Sequence, residues 1–158
     1  MSRRGRSLKF DDDELEDLAD LPYGDKRVFP LLSLLYPFVD LRNEFHVDHV
    51  CPRSRFSTTA LRRAGVPEDR LHQFKELAER LPNLQLLQGG INESKNAQLP
   101  NEWLRLEFPK ENDRKTYIFQ YDLEGLPDTV LEFDAFYQRR RAGLLAKMKA
   151  LLGTKATT

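Results

Sequence analysis

The feature that most constrains the fold is the segment of residues 45–54, where a short apolar alternation ends in a neighbouring carboxylate and imidazole. Phe45 and Val47 alternate with polar residues, as in a half-buried strand, and a proline soon afterwards interrupts strand pairing. The segment therefore predicts a short strand that ends at Asp48 and His49. These two side chains are the first candidates for chemistry in the chain.

A second segment, residues 83–96, predicts another strand followed by a helix. Leu84 and Leu86 would share one face of the strand, the two glycines at 89 and 90 would form a turn, and a short polar helix would begin near Asn92. Two strands and a helix in this order would bring both segments together.

The rest of the chain predicts a single α+β domain that is mainly helical. Its 158 residues suffice for one domain with its own hydrophobic core. Residues 1–10 are expected to form a disordered tail, which leaves 11–153 as the domain and about 44–104 as its central motif. Helical spacing of apolar residues predicts helices within residues 11–19, 27–36, 67–80 and 133–152.

For three other segments, secondary structure is predicted from shorter patterns. Residues 57–64 fit either a helix or a loop. Asn101 fits the N-cap of a helix that carries Trp103, and the indole is expected in the core rather than as a base-stacking surface. Residues 112–125 contain strand-like side chains but also fit the end of a helix.

The charge balance gives no global argument for binding nucleic acid. Lys plus Arg and Asp plus Glu both total 25, so the formal net charge is zero. The distribution is more informative, because Arg53 and Arg55 flank the first motif. A phosphate-binding face could therefore be local, whereas a solvated helix face explains the basic run of residues 139–141 equally well.

Cysteine usage and hydropathy exclude two classes of protein. Cys51 is the single cysteine, so neither an internal disulfide nor a Cys-x-x-Cys zinc site can form. No apolar run approaches the roughly 18 residues that a membrane span needs, and no hydrophobic signal segment occurs near the start. We therefore expect a cytoplasmic protein that does not associate with a membrane.

The order and spacing of the polar residues resemble those of the HNH, or ββα-metal, nucleases. The matching elements are Asp48-His49 at a strand end, Asn83 before the next strand, and Asn92-x-x-Lys95 at a helix start. Within that superfamily the chain is most similar to the C-terminal nuclease domain of GmrSD-type modification-dependent restriction proteins. This closer similarity is carried by residues 46–54, 83–87, 92–96 and 102–104, and it extends from about residue 21 to the last helix.

The resemblance implies a DNA endonuclease of a restriction or antiviral defence system that hydrolyses phosphodiesters, by nicking one strand at a time. Position by position, Asp48 and Asn92 match the ligands of one divalent ion, Mg²⁺ or Mn²⁺, and His49 matches the general base. Asn83 matches the asparagine that supports the loop carrying the histidine. A carboxylate and an amide suit a hard divalent cation better than zinc.

Four further residues are expected near the DNA or the metal. Lys95 would contact a phosphate or stabilise developing charge, and Arg53 and Arg55 are candidates for backbone phosphate contacts. His46 lies two residues before Asp48, so a strand would place both on one face. It is a candidate metal ligand. The alternatives are that it contacts one of the ligands or that it contacts a phosphate.

Two other functions compete with the nuclease. One is a catalytically inactive HNH-like module that binds nucleic acid or protein, and the other is a zinc-dependent hydrolase that uses His46, Asp48 and His49. Proteins of the GmrSD type also carry a nucleotide-hydrolysing domain with an Asp-Gly-Gln-Gln-Arg signature. The chain contains no such string, so that activity is expected on an N-terminal or separate restriction subunit.

Overall fold

The computed structural model describes residues 9–89, 95 and 97–153. These residues form a mostly helical α+β fold with a small two-stranded antiparallel sheet, which confirms the predicted fold class at this level. The α-helices are α1 (Asp12–Ala19), α2 (Val28–Leu35), α3 (Thr58–Ala64), α4 (Leu71–Ala78), α5 (Pro100–Glu107), α6 (Glu111–Gln120) and α7 (Phe133–Leu152). The strands are β1 (Phe45–His49) and β2 (Leu84–Gln88).

The register of the two strands determines what lies beside the predicted site. Phe45 is opposite Gln88, and His49 is opposite Leu84, so β1 ends where β2 begins. The N–H of Val50 then donates to the Asn83 carbonyl over 2.7 Å. The end of β1 is therefore held against the 3₁₀ turn that precedes β2.

The long helix α7 joins the two main hydrophobic clusters. Its C-terminal half packs with α1, α2 and the sheet, whereas its N-terminal half packs with α3, α4 and the segment after β1. Phe45 and Val47 contact the first cluster, and Val50 and Cys51 belong to the second. Asp48 and His49 consequently lie where the chain passes from one cluster to the other.

A buried arginine fixes α7 to the start of β2. Arg140 is 2 % exposed, and its guanidinium donates to the carbonyls of Pro82 and Leu84 at 2.8 and 2.7 Å and to that of Tyr121 at 3.2 Å. Several carbonyl acceptors offset part of the cost of burying the charge. The position of β2 therefore depends on a side chain far away in sequence.

Several predicted elements are confirmed. Asp11 caps α1 by accepting from the Glu14 N–H at 2.9 Å, and the Glu14 side chain accepts the Asp11 N–H in return. For residues 57–64, where a helix and a loop both fitted the sequence, the structure has helix α3, with Ser57 as its N-cap. The last helix has the predicted bounds, and Trp103 is buried as expected.

Other boundaries differ from the prediction. The predicted helix of residues 67–80 begins only at Leu71, because Pro67 precedes a 3₁₀ turn, Glu68–Arg70, and α4 ends at Ala78. For residues 112–125, where a strand and a helix end both fitted the sequence, the structure has helix α6, which ends at Gln120. Asn101 lies inside α5 and donates to Leu126 and Asp128, so it is not the cap, which is Leu99.

The structure also differs from the prediction at Gly89 and at Phe10. Gly89 is helical, although a turn was predicted there, while Gly90 and the predicted helix start at Asn92 lie outside the described residues. Phe10, which the prediction assigned to the tail, pairs with Gly153 and donates to the Leu152 carbonyl at 2.8 Å. Within the part of the chain that the structure describes, no helix is long and apolar enough to cross a membrane.

Candidate active site at the end of the first strand

The Asp48 carboxylate at the end of β1 is paired with a buried lysine. Lys95 Nζ lies 2.8 Å from Asp48 Oδ2, and it also donates to the His49 carbonyl. The Lys95 side chain is 3 % exposed and that of Asp48 is 19 % exposed. Lys95 is thus a counter-ion of Asp48, and its predicted role, contacting a phosphate or stabilising developing charge, stays a prediction.

The imidazole of His49 is held by a carboxylate that no sequence pattern predicted. His49 Nε2 lies 2.6 Å from Glu79 Oε2, just beyond the end of α4, and the Tyr23 ring packs against the imidazole with centroids 4.6 Å apart. Burial lowers the pKa of His49, and the nearby Glu79 charge offsets only part of this effect. The imidazole is therefore neutral at neutral pH.

Glu79 connects His49 to Arg53. Arg53 Nε lies 3.2 Å from Glu79 Oε2, the guanidinium also donates to Oε1, and it lies 5.0 Å from the centroid of the Tyr23 ring. Burial alone would raise the pKa of Glu79, but the hydrogen bonds and charges of Arg53 and His49 together lower it. Glu79 is thus an ionised carboxylate shared by two predicted site residues.

The amide of Asn83 fixes the backbone on both sides of this cluster. Its Oδ1 accepts from the Cys51 N–H at 2.9 Å, while Nδ2 donates to the carbonyls of Cys51 and Ala78 at 3.0 and 2.9 Å. Asn83 is fully buried. It therefore ties the segment after His49 to the end of α4, immediately before Glu79, as suits the supporting role that the resemblance implies.

A cavity of about 510 Å³ opens beside these groups. Its lining is formed by Asp48, His49, Pro52, Arg53, Ser54, Lys95 and Ala97. The structure thus brings the predicted carboxylate, imidazole, lysine and one of the two predicted arginines to one place. Arg55 lies at the margin, where its Nε donates to the Ala97 carbonyl at 3.0 Å and it lines a neighbouring cavity of about 580 Å³.

His46 is separated from this group. Its side chain is 47 % exposed, its Nε2 lies 3.3 Å from Glu44 Oε1, and it lines another cavity together with Tyr23 and Phe29. His46 and His49 diverge, because His46 does not line the cavity that Asp48 and His49 share. This divergence argues against a zinc site formed by His46, Asp48 and His49 together.

Among the residues predicted to bind a divalent ion, Asp48 could serve as one ligand. Asp48 presents a hard carboxylate to the cavity, which suits Mg²⁺ or Mn²⁺, and its Oδ2 is shared with Lys95. The second predicted ligand, Asn92, lies outside the described residues. Within the described ranges, no three His, Cys, Asp or Glu residues converge as a metal site would require. The donor chemistry therefore fits an ion held through Asp48 with water and phosphate oxygens.

Sequence reasoning missed Glu79 and Tyr23. Glu79 lies 30 positions after His49, at the end of an amphipathic helix where an acidic residue is unremarkable. Tyr23 lies in a turn, and its backbone N–H donates to the Glu79 carbonyl at 2.6 Å. Only the tertiary packing of α4 against the end of β1 reveals either contact.

Comparison with known proteins adds no family assignment to this geometry. No family model matches the chain, and no curated protein matches it.

Proposed function

We propose that the protein is a metal-dependent DNA endonuclease of the HNH, or ββα-metal, type, similar to the nuclease domain of GmrSD-type restriction proteins. The observation that carries the proposal is the juxtaposition of Asp48 and His49 on one cavity at the end of β1. The antiparallel strands and the buried Asn83 behind them support it, because such a motif needs a fixed histidine beside a metal-binding carboxylate.

Each residue of the site has a separate role in phosphodiester hydrolysis. A divalent ion, held by Asp48 and by Asn92, would supply positive charge for the phosphate and for the leaving 3′-oxygen. His49 is neutral at neutral pH and so accepts the proton of the attacking water. Lys95 orients the Asp48 carboxylate by donating to Oδ2.

Arginines beside the cavity suit a DNA substrate. Arg53 lines the cavity and is 60 % exposed, and Arg55 is 40 % exposed at its margin. Contacts between arginine and phosphate position a duplex without reading its sequence. A role in restriction or antiviral defence follows from the resemblance, with a nucleotide-hydrolysing subunit as the partner that would select the target.

A second candidate function is a catalytically inactive module that binds nucleic acid or protein. The observation that favours it is that the polar side chains of the site already pair with one another. Lys95 donates to Asp48, and Glu79 is hydrogen-bonded to both His49 and Arg53. Such a network would also give structural stability without catalysis. The two functions differ in whether removing the imidazole affects DNA cleavage.

Three variants separate these functions. His49→Ala should reduce cleavage by roughly 10²–10⁴-fold while Mg²⁺ or Mn²⁺ binding remains measurable by calorimetry, because a general base does not hold the ion. Asp48→Ala should lose both. His72→Ala changes an exposed histidine of α4 and is the matched control. If His49→Ala cleaved DNA at the rate of the wild type, the base assignment would be wrong.

A further inference from the structure

We infer that Glu79 is a positioning residue for His49: it fixes the imidazole as the Nε2–H tautomer, so that Nδ1 is the nitrogen that takes the proton from water. The inference rests on the proposed function for the last step, the proton transfer. The first step, the tautomer, depends only on the contact between the two side chains. It can therefore be tested without any DNA.

The chemistry of the contact determines the position of the proton. An ionised carboxylate only accepts hydrogen bonds, so at 2.6 Å from Glu79 Oε2 the Nε2 atom of His49 is the donor. The hydrogen bonds from Arg53 keep Glu79 ionised. A neutral imidazole protonated on Nε2 carries its lone pair on Nδ1. Glu79 thereby selects which nitrogen is basic.

Glu79 is itself rigidly held. Arg53 binds both of its carboxylate oxygens, and Tyr23 donates its backbone N–H to the Glu79 carbonyl at 2.6 Å. Asn83 binds the preceding carbonyl, that of Ala78, at 2.9 Å. Since the side chain and backbone are both restrained, the carboxylate is preorganised to hold the ring in one orientation.

The location of Glu79 indicates that it acts through His49 rather than on the substrate. His49 lines the cavity that contains Asp48 and Lys95. Glu79 instead lines a neighbouring cavity together with Phe56, Ser57, Lys75, Ala78 and Arg53, and Arg53 lines both cavities. A carboxylate placed behind the imidazole stabilises the imidazolium that forms when His49 takes a proton.

The proton and bond changes balance with water as the only co-reactant. The attacking water gives one proton to Nδ1 of His49 and forms a bond to phosphorus through its oxygen. The bond between phosphorus and the 3′-oxygen breaks, and that oxygen takes a proton from solvent. The imidazolium, held against Glu79, later returns its proton to solvent. Glu79 remains ionised throughout this sequence.

The first experiment measures the tautomer in the full chain without DNA. The ¹⁵N shifts of the ring nitrogens report which nitrogen carries the proton, and with 3 histidines in the chain the signals are assigned by single replacements. We expect the Nε2–H form in the wild type and its loss in Glu79→Ala. Glu79→Asp should retain part of the Nε2–H form of His49. Glu76→Gln, an exposed acid of α4 paired with Arg80, is the matched control and should change nothing.

The second experiment measures plasmid cleavage by the same variants. Loss of an orienting partner should lower kcat by roughly 10–100-fold in Glu79→Ala without raising KM, with partial rescue in Glu79→Asp. A wild-type Nδ1–H tautomer would overturn the inference, as would the same tautomer in wild type and Glu79→Ala. A kcat that rises in Glu79→Ala would also overturn it, since Glu79 would then be an inhibitory latch on His49 and Arg53.

The two experiments distinguish failure of this inference from failure of the proposed function. If the wild type cleaves no DNA, the endonuclease proposal fails. The ¹⁵N shifts still decide whether Glu79 sets the tautomer of His49. If the wild type cleaves DNA but the tautomer does not depend on Glu79, the inference alone is wrong.

Discussion

The ammonium group of Lys95 lies 2.8 Å from Asp48 Oδ2, and both side chains are largely withdrawn from solvent. The carboxylate proposed to bind a divalent ion thus already has a cation on one oxygen. Two cations attracted to the same carboxylate repel each other, so Lys95 should limit how strongly the ion binds. The charge of Lys95 also balances that of Asp48 before any divalent ion binds.

Replacing Lys95 should therefore destabilise the fold and increase its response to metal. Lys95→Met leaves Asp48 without its counter-ion and should lower the free energy of unfolding by about 2–4 kcal/mol. The loss is near the range for breaking a buried ion pair, because Asp48 keeps some contact with solvent. Added Mg²⁺ should restore more stability to this variant than to the wild type. Urea unfolding with and without Mg²⁺ measures both effects.

Lys115→Met is the control for this prediction. Lys115 pairs with Glu111 on the exposed face of α6, and both side chains are about two-thirds exposed, so its loss should matter little. Equal stabilisation of wild type and Lys95→Met by Mg²⁺ would show that the ion does not bind at Asp48.

The buried amide of Asn83 should be essential for holding the end of β1. Asn83→Asp converts the donor that serves Cys51 and Ala78 into a buried carboxylate, which should cost about 3 kcal/mol or more. Asn112→Asp makes the same chemical change at an exposed position in the first turn of α6 and should be tolerated.

The single cysteine gives a local measurement of the Asn83 effect. Burial raises the pKa of the Cys51 thiol to about 12, so it should resist a thiol reagent in the wild type. Asn83→Asp should speed the labelling of Cys51, because the two residues share two hydrogen bonds. Unchanged labelling alongside unchanged stability would contradict the supporting role of Asn83.

Stability should fall in mild acid because of His49. Its folded pKa is lower than the ordinary value of 6.5, so the unfolded chain binds the proton more readily, and stability is lost as the pH falls through that value. Urea unfolding between about pH 7.5 and about pH 5.5 measures the loss, which should be smaller in His49→Gln. Greater stability at the acidic end would mean that Glu79 and His49 form an ion pair with a raised His49 pKa.

Local patterns predicted the strands and the long helix because their packing repeats along the chain. Phe45 and Val47 alternate on β1, and the buried residues of α7 recur at helical spacing. Asp48 and His49 could be singled out because they follow one another at a strand end. The predicted link from Asn83 to the segment after His49 is also visible in the hydrogen bonds to Cys51.

Contacts between distant segments could not be predicted in this way. The pairing of Glu79 with His49 depends on how α4 packs against β1, and nothing in the spacing of either residue encodes that. The burial of Lys95 likewise depends on Asp48 and the His49 carbonyl, 47 and 46 positions away. An ionisable residue in a polar segment is expected at the surface, so its burial is revealed only by the tertiary structure.

Digestion of supercoiled plasmid measures whether Asp48 and His49 make this domain a divalent-metal-dependent nuclease. We expect nicked circles in Mg²⁺ or Mn²⁺ with little sequence preference, weakening steeply as salt rises, since one site attacks one strand and binds mainly phosphates. EDTA and Asp48→Ala should each abolish the product. Cleavage that persists in EDTA, or activity no greater than that of Asp48→Ala, would contradict the account.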